Sequence, residues 1–246
     1  MREPRRIEEE APGLRGRVGR RQEQAEEERA SRRRPEPSGI GGRMSGIRIK
    51  ICGLMRPEDI RAVNEAVPDM AGFILAKGRR RTLQPEQMRE LTRLLAPGIL
   101  RTAVFLDQDR EWIARLAEED LMDVIQLHGS ESGADIRFLR ERTGKPVIKA
   151  FRIDCAEDAR MVQESEADLV LLDHGSGGSG EAFDWSLIRE IRRDFILAGG
   201  LTPENVREAV EQTGPAAVDV SSGVETEGRK DPEKIRRFVR TVRSMG

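Results

Sequence analysis

Several features that would classify a chain at a glance are scarce or missing here. There are two cysteines in 246 residues, Cys52 and Cys155. They stand far apart in an apparently intracellular chain, where thiols stay reduced, so no structural disulfide is expected and each is read as a free thiol. The only histidines, His128 and His174, form no His/Cys/Asp cluster with metal-ligand spacing. No dinucleotide fingerprint follows the first strand-like run. Neither a metal nor a nicotinamide cofactor is therefore implied. No apolar stretch approaches the roughly 20 residues that cross a bilayer, and the N-terminus lacks the apolar core of a signal peptide. The expectation is a cytoplasmic protein without a membrane partner. Lys+Arg 43 against Asp+Glu 44 leaves a net charge of -1, so no global field favours nucleic acid. An anionic ligand must be captured locally.

What is present begins with a contrast in composition. Residues 1–43 are Arg, Glu, Gln, Pro and Gly with hardly an aliphatic side chain. Such a segment cannot bury enough apolar area to offset the entropy of ordering, and it reads as a disordered charged tail. Residues 44–246 then suit one domain. Short apolar, β-branched runs at 47–52, 70–75, 102–106, 124–127, 146–151, 169–172, 195–198 and 217–220 alternate with amphipathic stretches at 57–66, 85–95, 110–119, 133–142, 156–164, 184–194, 203–211 and 231–243. Proline with a neighbouring acid marks helix starts at Pro57-Glu58, Pro85-Glu86, Pro203-Glu204 and Pro232-Glu233. Strands that are apolar throughout are buried on both faces, as in a parallel sheet. Eight β/α repeats predict a single (β/α)8 TIM barrel in the α/β class, with an open doubly wound sheet as the alternative.

The last two repeats carry the main functional signal. Ala198-Gly199-Gly200-Leu201 and Asp219-Val220-Ser221-Ser222-Gly223 each follow a strand and precede a helical segment. Small residues let backbone N–H groups approach an anion, and a following helix N-terminus adds partial positive charge. Two consecutive turns of this kind predict a phosphorylated small-molecule ligand. Barrel active sites lie at the C-terminal strand ends. Those ends bring Cys52, the arginines 79–81, Gln126, His128, Lys149, Asp173 and His174 into consideration.

The ordered set Lys50-Ile51-Cys52-Gly53, Gln126-Leu127-His128-Gly129, Leu171-Leu172-Asp173, Gly177-Gly178-Ser179-Gly180, Phe183-Asp184-Trp185, Ala198-Gly199-Gly200-Leu201 and Asp219-Val220-Ser221-Ser222-Gly223-Val224-Glu225 resembles phosphoribosylanthranilate isomerase. The resemblance runs from about Ile47 to the C-terminus. It implies an intramolecular oxidoreductase of tryptophan biosynthesis that needs no cofactor, working as a monomer or homodimer. The reaction is the Amadori rearrangement of N-(5-phosphoribosyl)anthranilate to 1-(2-carboxyphenylamino)-1-deoxyribulose 5-phosphate. It also implies Cys52 as general base at ribose C2, Asp173 as general acid on the ring oxygen, and Arg81 as the group binding the anthranilate carboxylate. Gln126 and His128 would support the substrate. Gly199, Gly200, Ser221, Ser222 and Gly223 would hold its phosphate, and the loop 175–180 would close over it. A histidine-pathway isomerase would bring aspartate to the first strand end and an indole-glycerol-phosphate synthase would bring lysines, so Cys52 speaks against both.

Overall fold

A computed structural model describes residues 46–153, 155–173, 188 and 191–245. Within them the chain runs β1 (Arg48–Cys52), α1 (Pro57–Ala66), β2 (Met70–Ile74), α2 (Pro85–Arg93), β3 (Leu100–Phe105), α3 (Arg110–Glu118), β4 (Val124–Leu127), α4 (Gly133–Thr143), β5 (Val147–Arg152), α5 (Ala156–Glu164), β6 (Leu169–Asp173), β7 (Phe195–Leu197), α6 (Val206–Thr213) and β8 (Ala217–Val220). A 3-10 turn (Ser222–Val224), a two-stranded ribbon of β9 (Glu225–Thr226) and β10 (Arg229–Lys230), and α7 (Pro232–Arg243) complete it. β1 to β8 close into a parallel barrel in sequence order. The closed alternative therefore holds over the open sheet.

Local chemistry accounts for the boundaries. Pro57, Pro85 and Pro232 open their helices, where a missing N–H costs nothing. Asp59 turns back to accept from the N–H groups of Met55 and Arg56 at 2.9 and 3.1 Å. Ser132 and Asp135 cap α4 reciprocally, and Gly144 ends it with a φ of +64°. In α7 the buried residues Ile235, Phe238, Val239 and Val242 fall at helical spacing on one face.

Strand alternation splits the apolar residues into two sets. Outward-facing positions such as Ile49, Ile51, Phe73, Phe105 and Val218 pack under the helices. The inward-facing set stacks in layers of four drawn from alternate strands, as the barrel stagger requires. From the bottom these are Met70, Val124, Leu169 and Ala217; then Lys50, Thr102, Ile148 and Ile196; then Gly72, Gln126, Leu171 and Asp219. Above them lie Cys52, Val104, Ala150 and Ala198, whose exposures of 6 to 8% make this layer the floor of an open mouth. Ile74, His128, Asp173 and Ser221 form its rim.

Two sequence expectations need correction. The helix after β7 begins at Val206, not Pro203: Asn205 Oδ1 accepts from the Thr202 N–H at 2.7 Å and Thr202 Oγ1 from Glu204 at 3.2 Å, so side chains hold a separate turn ahead of the helix. The Gly/Ser turn after β8 leads into a three-residue 3-10 turn and the β9–β10 ribbon before α7 starts. The expected tail 1–43, the loop 175–180 and most of the segment 184–194 lie outside the described residues, as does His174.

Candidate active site

The mouth is built on an unusual stretch of barrel interior. Lys50 precedes Cys52 by two residues on β1, so both side chains point inward, one layer apart. Lys50 is fully buried, and its Nζ donates to Asp219 Oδ2 on the neighbouring β8 at 2.9 Å. It also lies close enough to the Cys52 thiol to act on it electrostatically. Burial would depress an ammonium, but Asp219 and the thiol outweigh it, and Lys50 stays charged above its ordinary value. Burial pushes the Cys52 thiol up, Lys50 pulls it back down, Asp219 raises it and the more distant Lys230 lowers it. At rest a neutral thiol stands over a cation. Gly72 makes room for it: a Cβ there would lie 2.8 Å from Cys52 Sγ and 2.9 Å from its Cα.

Asp173 and His128 meet across the rim, with His128 Nε2 3.3 Å from Asp173 Oδ2 and both side chains about one-third exposed. Gln126 Nε2 lies 3.3 Å from His128 Nδ1. With the amide donating to Nδ1, the imidazole hydrogen sits on Nε2 and faces Asp173. Gln126, expected to contact substrate, is itself almost fully buried and reaches the mouth through His128.

The two Gly/Ser turns abut. Gly199 and Gly200 take φ values of +84° and +63°, which favour glycine, and a Cβ on Gly223 would collide with the Leu201 carbonyl. Among the described residues, the amides of Gly199, Gly200, Ser222 and Gly223 donate to no acceptor. Ser221 differs: its hydroxyl donates to the Cys52 carbonyl at 3.0 Å, tying the β8 turn to the strand that carries the thiol.

Arg81 lies over Gly53, where a Cβ would come within 2.5 Å of Arg81 Cδ. Its Nε donates to Glu225 Oε1 at 2.7 Å. Arg80 is turned away into its own pair with Glu225 and the Gly228 carbonyl, and Arg79 is exposed. Burial would raise Glu225, but hydrogen bonds from Arg81, Lys230 and Arg80 overcome it and hold the carboxyl at about 2.

Lys149 does not join the mouth. Alternation on β5 sends Ile148 and Ala150 inward, so Lys149 points out, where it bonds the Gly129 carbonyl and Glu131 Oε2, the latter at 2.9 Å. Cys155 is exposed at the N-cap of α5, in the loop that follows β5. Sequence reasoning assigned no role to Lys50, Asp219, Glu225 or Lys230. For the first two the available signal was a charge at an inward position of an otherwise apolar strand.

A family model described as N-(5'phosphoribosyl)anthranilate (PRA) isomerase matches residues 49–241. The chain is 43% identical over 202 residues to N-(5'-phosphoribosyl)anthranilate isomerase of Endomicrobium trichonymphae, covering 80% of this chain and 99% of that one. It resembles the crystal structure of phosphoribosyl anthranilate isomerase from Thermus thermophilus with a TM-score of 0.73 at 36% identity, covering 81% and 100% of the two chains. A further solved isomerase, in complex with reduced 1-(o-carboxyphenylamino)-1-deoxyribulose 5-phosphate, is similar with a TM-score of 0.71 and 36% identity over 80% of this chain and 99% of that one.

Proposed function

Because this chain belongs to the N-(5'-phosphoribosyl)anthranilate isomerase family and isomerises that substrate in tryptophan biosynthesis, we propose that Cys52 and Asp173 carry the proton transfers on the sugar. Asp173 gives its proton to the furanose ring oxygen as the C1–O bond breaks, and the nitrogen lone pair forms the C1=N bond of a Schiff base. Cys52, as thiolate, takes the proton from C2. The electron pair left behind closes C1=C2 and neutralises the nitrogen, giving an enolamine. A proton arriving at C1 while the C2 hydroxyl loses its own then yields the ketone, so the net reaction is an isomerisation. His128, 3.3 Å from Asp173, can return a proton to the acid after the first step.

The observation that carries this reading is vertical order in one mouth. Cys52 lies in the floor layer with the Lys50–Asp219 pair beneath it, and the Asp173–His128 pair stands in the rim one layer above. A buried thiol is a poor base until something stabilises its anion, and a fully desolvated ammonium does so far more strongly than one in water. Arg81 binds the anthranilate carboxylate. The amides of Gly199, Gly200, Ser222 and Gly223 receive the phosphate at the other end of the substrate, with the Ser222 hydroxyl beside them. The catalytic unit is residues 44–246.

The test follows loss of the fluorescent anthranilate substrate with purified Cys52→Ala and Asp173→Asn variants. Removing a general acid or base costs roughly 10²- to 10⁴-fold, so kcat should fall by that range with ligand affinity little changed. Near-normal turnover in either variant rejects its assignment.

A further inference from the structure

Glu225 is where three cations from two loops converge. Its side chain is 6% exposed. Oε1 accepts from Arg81 Nε at 2.7 Å and Lys230 Nζ at 2.9 Å, and Oε2 from Arg80 Nη2 at 2.6 Å. Lys230 also donates to the Ser221 carbonyl at 2.8 Å, so the same carboxylate is one step from the turn that follows β8. Arg81 itself is held only by its inner nitrogen. Its two terminal nitrogens have no acceptor among the described residues, although the side chain is only 17% exposed.

A guanidinium grips a carboxylate by two parallel N–H bonds, either side-on through Nε and one Nη or end-on through both Nη. Glu225 occupies Nε. A free arginine at this position would sample many rotamers, and ordering it on binding would cost side-chain entropy. Anchored by Nε and resting on Gly53, the guanidinium has its remaining fork oriented in advance, next to the strand end that carries Cys52.

We propose that Glu225 is a positioning residue for substrate selection: it fixes Arg81 by Nε so that the aryl carboxylate is taken end-on by Nη1 and Nη2. This rests on the reading of Arg81 given above. Glu225 touches no reacting atom, and its effect is on recognition of the carboxylate.

The experiment measures, by calorimetry, binding of reduced 1-(2-carboxyphenylamino)-1-deoxyribulose 5-phosphate and of the same compound without the carboxylate. Proteins are wild type, Glu225→Gln, Arg81→Ala and the double variant, with KM and kcat measured in parallel. Glu225→Gln should weaken the carboxylate ligand about 5- to 20-fold and its counterpart less than 2-fold, consistent with losing one charge-assisted hydrogen bond. KM should rise while kcat stays within about 2-fold of wild type on the same ground. On the Arg81→Ala background the Glu225 change should add nothing. Equal weakening of both ligands, or of neither, overturns the proposal by making Glu225 a support of the loop or irrelevant. If Arg81→Ala discriminates between the ligands as wild type does, the Arg81 reading itself fails. If Arg81→Ala loses discrimination while Glu225→Gln keeps it, only the present inference fails. Should Glu225→Gln not fold, Glu225→Asp retains the charge near Lys230 but withdraws it from Arg81, and the same selective loss is expected.

Discussion

Replacing Lys50 by methionine tests most directly the proposal that the buried Cys52 thiol becomes a base. The substitution keeps an unbranched side chain of similar volume and removes one charge from beneath Cys52. Two unit charges about 4 Å apart at an effective dielectric of about 20 interact by roughly 4 kcal/mol. Asp219 raises the thiol in the wild type and continues to do so in Lys50→Met, so it does not offset the loss of the cation. Losing the cation therefore moves the thiol further up, and the thiolate fraction at neutral pH should fall at least tenfold. The sign follows from the thiol being neutral at rest: alkylation rate and kcat both climb with pH, and losing the cation moves that climb to higher pH. The assay is the pH profile of iodoacetamide reaction in a Cys155→Ser background, which removes the exposed thiol, with kcat profiled in parallel. Lys50→Met leaves Asp219 buried without its partner, which costs about 3 to 5 kcal/mol, so folding is checked by circular dichroism and the Lys50→Met/Asp219→Asn pair serves as the folded companion. Lys50→Arg should retain most of the reactivity. A folded variant lacking the cation whose alkylation profile coincides with wild type would refute the reasoning.

Three other outcomes are expected. Gly72→Ala puts a methyl 2.8 Å from Cys52 Sγ and 2.9 Å from its Cα; the thiol must move, and kcat should drop at least tenfold with ligand affinity nearly unchanged, as steady-state kinetics and calorimetry will show. Asp123→Ala removes both carboxylate oxygens from buried Arg101, bonded to Asp123 Oδ2 at 2.9 Å and Oδ1 at 2.5 Å; urea unfolding should show a loss of about 3 to 5 kcal/mol with kcat retained. Deleting residues 1–43 should leave both the thermal midpoint and the turnover number in place, whereas a fall in either would assign the segment a role in the domain.

The parts of the fold legible in the sequence are those governed by nearest neighbours along the chain. α1, α5, β4 and β8 occupy the residues expected from the sequence alone, because a proline at a helix start or a β-branched run acts within one or two turns. α6 escaped because Thr202 and Asn205 compete for backbone groups through their side chains, a contest that periodicity does not register. The β9–β10 ribbon is two residues per strand, too short for any alternating pattern to appear.

That Cys52, Asp173 and the small-residue turns stand at the C-terminal strand ends was determined by the sequence itself, since alternation and chain order decide which end of which strand a residue occupies. What only the tertiary structure decided is what those groups feel. That Lys50 meets Asp219 across 169 positions of sequence, that Lys149 turns outward to Glu131, and that Glu225 gathers Arg80, Arg81 and Lys230 depends on barrel closure and stagger. Electrostatic fields and desolvation are set by distance through space in a medium that excludes water, and no local pattern in the chain encodes that distance.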